Sequence, residues 1–136
     1  MNRRSAVIGA IAALTLRPSL ASESDHIATM RVFIETVIEN GETSQVDRFV
    51  TEDVAIPDFD IRGIDAFRSA SDAGFANRER QYSDYTFDVM SIAESGDWVH
   101  TLIAFTGNDA TGNTISDHVF YVARFTDGLI SELYLS

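Results

Sequence analysis

The feature that most limits the fold is a change of hydrophobic rhythm near residue 82. Upstream, in "SESDHIATMRVFIETVIENG", Ile27, Met30, Ile34, Val37 and Ile38 recur at helical spacing. Ser22 with Asp25 three residues on, or Ser24 itself, can cap that helix, and Gly41 ends it. A second short helix from about Ser44 turns Val46, Phe49 and Val50 inward, and a third from Gly63 carries Ile64, Phe67 and Phe75. Val54 to Ile56 reads as a brief strand between them. Downstream the period drops to two in "DYTFDVMSIA", "WVHTLIAF", "NTISDHVFYVARF" and "LISELYLS". Ser95-Gly96-Asp97 and Asp127-Gly128 are reversals of the kind that join antiparallel strands. Helices first and hairpins after predict an α+β fold, a curved antiparallel sheet packed against three N-terminal helices. The 136 residues suffice for one such domain. A hydrophobic share of 45% is enough to fill its core, which argues against wholesale disorder.

The first 21 residues have the order of an export leader. Arg3 and Arg4 precede the apolar run Ala6 to Leu16, and Ser19 and Ala21 are the small residues before a cut. The run stops at Arg17-Pro18, well short of the ~20 residues that span a bilayer as a helix. A signal peptide over 1–21, cut after Ala21, leaves a domain over 22–136 in the periplasm or outside the cell, with no stable membrane insertion. The adjacent arginines admit the twin-arginine route as well as the general one.

Charge narrows the partners. The chain carries 21 acidic residues, 10 basic ones and a net charge of −11, and every basic residue is arginine. A surface of that sign repels phosphate backbones, so nucleic acid is not an expected partner. The chain has no cysteine, which removes thiolate metal sites and cysteine nucleophiles.

The acidic stretch "VTEDVAIPDFDIRG" invites a calcium reading, and its spacing rejects it. Asp58, Asp60 and Gly63 fit the first, third and sixth positions of a calcium loop, but the fifth is Arg62 and the twelfth is Ser69. No metal site is expected. Glu52, Asp53 and Asp60 read as cap, turn and surface charges.

Four phrases in order, "FVTEDVAIPD", "RGIDAFR", "AESGDWVHTLIAFTG" and "ARFTDGLISEL", resemble the SnoaL-like branch of the nuclear transport factor 2-like superfamily. The resemblance covers about Ile27 to Leu135. It implies a cone-shaped roll, often dimeric, around an apolar cavity that takes a small hydrophobic ligand. It also implies acid–base chemistry without a cofactor, of the isomerase, cyclase or lyase type, as in ketosteroid isomerases and polyketide cyclases. The alternative is a non-catalytic ligand-binding or dimerisation module, because fold alone does not fix function.

Laid on the ketosteroid isomerase pattern, Asp58 falls at the general base, and the tyrosine of the first helix falls at Ile34. The hydrogen-bond-donating acid falls near Tyr121, whose phenol can donate in its place. Cyclases of the family imply a pocket acid on a strand, and Asp117 is best placed for it. Closing the hairpin over Asn108 to Gly112 sets Val99 opposite Tyr121, Thr101 opposite Val119 and Ile103 opposite Asp117, all on the cavity side. The candidate site is therefore Asp58, Asp117 and Tyr121, with Ile34, Val99, Thr101, Ile103 and Val119 as pocket lining. Trp98, His100 and His118 fall on the opposite face, with the two histidines as neighbours. That outer face is the expected homodimer surface. His26, in the first helical turn, is expected to be exposed, and Tyr82 and Tyr85 to stand at the pocket rim.

Overall fold

The computed structural model describes residues 23–136. The expected leader lies outside the described residues. Helix α1 spans Asp25–Phe33 and continues without a break as a π-helical segment over Ile34–Glu39. Of the two capping options Ser24 is the one used: its Oγ accepts from the backbone N–H of Ile27 at 3.1 Å. Gly41, at φ 69°, then takes the left-handed conformation that lets the chain leave the helix. A 3₁₀ helix (Thr43–Arg48) leads into β1 (Val50–Ile56), which starts four residues earlier than its hydrophobic signal Val54–Ile56 suggests.

The acidic corner follows. Pro57–Phe59 form one 3₁₀ turn, Asp60 closes it in the left-handed region at φ 56°, and β2 (Ile61–Arg62) folds back on β1. Aspartate tolerates that backbone geometry better than most residues. Asp53 accepts from Thr51 Oγ1 at 3.0 Å. Helix α2 (Ile64–Gln81) then crosses the concave side of the sheet.

The hairpins are β3 (Ser83–Ser95), β4 (Trp98–Asn108), β5 (Thr114–Thr126) and β6 (Leu129–Leu135). The six strands form one sheet in the order β2-β1-β6-β5-β4-β3. It is mixed rather than wholly antiparallel, because β1 pairs with β6 in parallel. The crossover from β1 through α2 and three hairpin strands brings β6 back beside it, a pairing that hydrophobic alternation cannot reveal.

The core lies between the concave face and the first two helical segments. Met30, Phe33, Ile34 and Val37 from the α1 segment meet Val46, Phe49 and Phe67, and all of these rest on Val99, Ile103, Ala123, Phe125, Ile130 and Leu133. Phe33, Phe49 and Phe67 pack edge-on or tilted, with Phe33 at 5.8 and 6.2 Å from the other two. His26 is not free at the surface: its ring stacks on Phe125 at 4.5 Å and bonds Glu94 at 2.8 Å, tying α1 to β3. Hydrogen bonds from Ser24 and then His26 hold the Glu94 carboxyl below the ordinary carboxylate range.

The β4–β5 register is offset by two residues from the expected one. Thr101 faces Tyr121, Ile103 faces Val119 and Phe105 faces Asp117. The cause is Asp109, whose Oδ1 accepts from Thr111 N, Thr111 Oγ1 and Asn113 N at 2.7–2.9 Å, moving the loop one residue along. A shift of two leaves every side chain on its expected face. It separates the histidines, however: His100 lies opposite Val122 and His118 opposite Ala104.

Candidate functional site

Only Phe67 of α2 is fully buried, so the rest of this helix stands off the sheet. Its inward stripe runs Phe67, Ala70, Ser71, Gly74, Arg78, Gln81, at helical spacing. The middle of that stripe is small, and a cleft opens beneath it. A Cβ added at Gly74 would meet nothing within 4 Å.

The cleft has two lobes that share Gly74, Arg78 and Tyr121. Lobe one, ≈ 230 Å³, lies under the middle of α2, with Val37, Ile56, Phe67, Leu133 and Leu135 among its walls and Phe59 at its rim. Lobe two, ≈ 280 Å³, lies under the end of α2 and takes in Tyr82, Phe87, Phe105, Asp117 and Val119.

Tyr121 stands at the waist and is 5% exposed. Burial pushes its phenol up to about 12, against a smaller opposing pull from the Arg78 charge. The hydroxyl is therefore protonated at neutral pH and faces a weakly polar cleft as a donor. Directly opposite on β4, Thr101 is fully buried and its Oγ1 has no hydrogen-bond partner among the described residues.

Arg78 is the residue sequence reasoning missed. Its Nη2 donates to the carbonyls of Ile38 and Glu39, binding α2 to the end of the π-helical segment. The guanidinium lies over the rings of Phe87, Tyr85 and Phe75, at 4.7, 4.8 and 5.2 Å. The signal was present in the sequence: an arginine one helical turn beyond Gly74, on the stripe that Phe67 begins.

The structure brings two of the three site residues together and not the third. Asp117 and Tyr121 line lobe two on the concave face. Asp117 lies near the open end, where one carboxylate oxygen accepts from the backbone N–H of His118 at 2.8 Å. Asp58 is exposed and lines neither lobe. Its charge instead helps raise the phenol pKa of Tyr134, beyond the larger contribution of the Glu132 hydrogen bond, which puts Asp58 near the outer surface. Asp58 sits in the 3₁₀ turn Pro57–Phe59 that Asp60 closes. Among the expected lining residues Val119 faces lobe two, whereas Ile34, Val99, Thr101 and Ile103 are packed solid in the core and line neither lobe. The empty volume lies under the middle and end of α2, while Ile34, Val99 and Ile103 belong to the core cluster and Thr101 is buried. At the rim Tyr82 lines lobe two, and Tyr85 packs on Phe105 and bonds Glu79.

Among the described residues, no three histidine, aspartate or glutamate side chains gather where they could hold a metal ion.

No curated protein sequence matches the chain. Solved structures similar in fold include TsrD from Streptomyces laurentii, at 18% identity and a TM-score of 0.66 over 85% of this chain and 90% of that one. A polyketide cyclase, described as putative, from Acidithiobacillus ferrooxidans aligns at 14% identity and a TM-score of 0.71, over 86% and 90% of the two chains. An LEH-like epoxide hydrolase from M. tuberculosis aligns at 17% identity and 0.60, over 82% and 80%. At these identities the likeness speaks for the α+β cone alone. The SnoaL-like domain family matches residues 30–133, the span that builds both the core and the cleft, and the chain belongs to that family, within the nuclear transport factor 2-like superfamily.

Proposed function

We propose that the cleft binds a small hydrophobic molecule and carries out cofactor-free proton transfer on it, in the manner of an isomerase or cyclase. The observation that supports this most is that Asp117 and a protonated Tyr121 both line lobe two. In the step, the Asp117 carboxylate takes a proton from carbon beside a carbonyl. The electron pair moves to the carbonyl oxygen, Tyr121 donates a hydrogen bond to the resulting enolate, and the proton returns to carbon. Asp58 takes no part in this scheme, since it lines neither lobe.

Deuterium exchange at the α-carbon of 2-tetralone, followed by NMR, tests the scheme. Asp117→Asn should slow exchange by ~10²-fold or more. Tyr121→Phe should slow it by ~10-fold or more with little change in ketone binding. Exchange no faster than in buffer would leave the second reading, a module that binds without chemistry. One observation favours that reading: Asp117 is exposed, so its carboxylate is not desolvated as a strong base would be.

We also propose export of the chain and homodimerisation through the outer sheet face. The leader pattern supports the first. For the second, Met90 and Phe120 are 58% and 39% exposed, and Phe120 lies diagonal to His100, with ring centroids 6.3 Å apart. Trp98 stands nearby, against Tyr134 at 6.1 Å.

A further inference from the structure

Arg78 sets a chemical condition on the ligand. The chain is strongly acidic; Arg31, Arg68 and Arg124 each pair with a carboxylate at the surface, and Arg48, Arg62 and Arg80 are exposed and bond Gln45, the Asp53 carbonyl and Asn77, whereas Arg78 is half-buried. Arg78, which lines both lobes, has no carboxylate partner among the described residues. Its Nε is buried and has no hydrogen-bond partner among the described residues, and the Tyr85 hydroxyl lies beside another edge of the guanidinium. A buried donor without a partner is uncommon and costly, and on a charged group more so. The acids nearest to it are otherwise engaged: Glu79 bonds the Tyr85 hydroxyl, and Asp117 accepts from His118 N.

The guanidinium is also held still. Carbonyls of Ile38 and Glu39 fix one edge, and three aromatic rings surround it. Among the described residues Arg78 is the one charged side chain lining lobe one; the other walls are aliphatic, aromatic or small. Beside it at the waist stands Tyr121, a second donor. A fixed cation at one end of a greasy chamber is the complement of an amphipathic acid.

We propose that this site selects small apolar carboxylates, with the carboxylate on Arg78 at the waist and the hydrocarbon body in lobe one, so that the single O–H of Tyr121 stays free for the enolate. This rests on the reading of the cleft as a small-molecule site and narrows its substrate class. Lobe two, where Asp117 lies, is then left for the reacting end. The preorganised guanidinium has to overcome the repulsion of an anion by the net-negative chain, which short-range charged hydrogen bonds in a dry site do and long-range screened charge does not.

The test compares 2-naphthoate with neutral 2-naphthamide, by calorimetric titration at pH 7.5. Wild-type protein should bind the acid at least about tenfold more tightly than the amide. Arg78→Met should abolish that preference, and Arg78→Lys should restore part of it. The wild-type comparison stands alone if Arg78→Met does not fold. Equal binding of both compounds, or tighter binding of the amide, overturns the carboxylate assignment and leaves the cleft a small-molecule site. Binding of neither compound overturns the assignment together with that reading.

Discussion

Thr101 and Tyr121 lie directly opposite one another on β4 and β5, and the hydroxyl of the first is buried with no partner among the described residues. Beneath the cleft, this is a polar atom that the core does not use. Thr101→Val removes it and keeps the shape, so stability should rise by about 1 kcal/mol. In thermal unfolding this corresponds to roughly 3–5 °C. A fall in Tm would show that the hydroxyl is satisfied and matters to the core.

Tyr121 should also leave a mark on alkaline stability. Burial lifts its folded pKa to about 12, above the 10.0 of a free tyrosine. Folding therefore favours the neutral phenol. The associated stability is complete below pH 10.0 and is lost as pH rises through about 12. The difference in unfolding free energy between wild type and Tyr121→Phe should be flat below pH 10.0 and turn against wild type above it. A difference independent of pH up to 12 would mean that the ring is solvated.

Two glycines near the cleft should respond in opposite ways to alanine. Gly41 has φ +69°, and a Cβ there would sit 2.5 Å from the Phe75 ring, which lines lobe one. Gly41→Ala should cost about 2–4 kcal/mol from backbone strain and overpacking together. Gly74 is helical and faces open space, so Gly74→Ala should stabilise by about 0.5–1 kcal/mol. Urea unfolding of the two variants checks both signs.

The homodimer proposal makes its own demand. Phe120→Asp puts a charge on the exposed apolar face. It should convert a dimer to a monomer in sedimentation while leaving Tm and 2-tetralone binding nearly unchanged. Monomeric wild-type protein at the same concentration would end the proposal.

Much of the fold was legible in the sequence because amphipathic period is a local property. The helical spacing of Met30, Ile34 and Val37 and the alternation through β3 to β6 place nearly every element. Face assignment survived a register error for the same reason: an offset of two preserves parity. What the sequence hid was non-local. The parallel β1–β6 pairing depends on a crossover, and the place of the cavity depends on which side chains fill the cone. Ile34, Val99, Thr101 and Ile103 are buried inside as expected, yet they are packed into the core and line neither lobe. Asp58 was placed by pattern, and it stands exposed on the 3₁₀ turn Pro57–Phe59, outside both lobes. Arg78 was legible but unread, since it gains meaning only beside Gly74 and Tyr121.

The account depends most on an open cleft beneath α2 that takes a small apolar molecule. Gly74→Phe puts a ring where the structure shows empty space, and the ring should bury itself in the cleft rather than remain in water. An NMR titration of 2-tetralone against wild type and this variant, both shown to be folded by thermal melts, is the most direct test. The account expects saturable wild-type binding with shifts at Tyr121 and Val119, and loss of binding by at least about tenfold in Gly74→Phe. Unchanged affinity in the filled variant, or shifts confined to the outer sheet face, would contradict it.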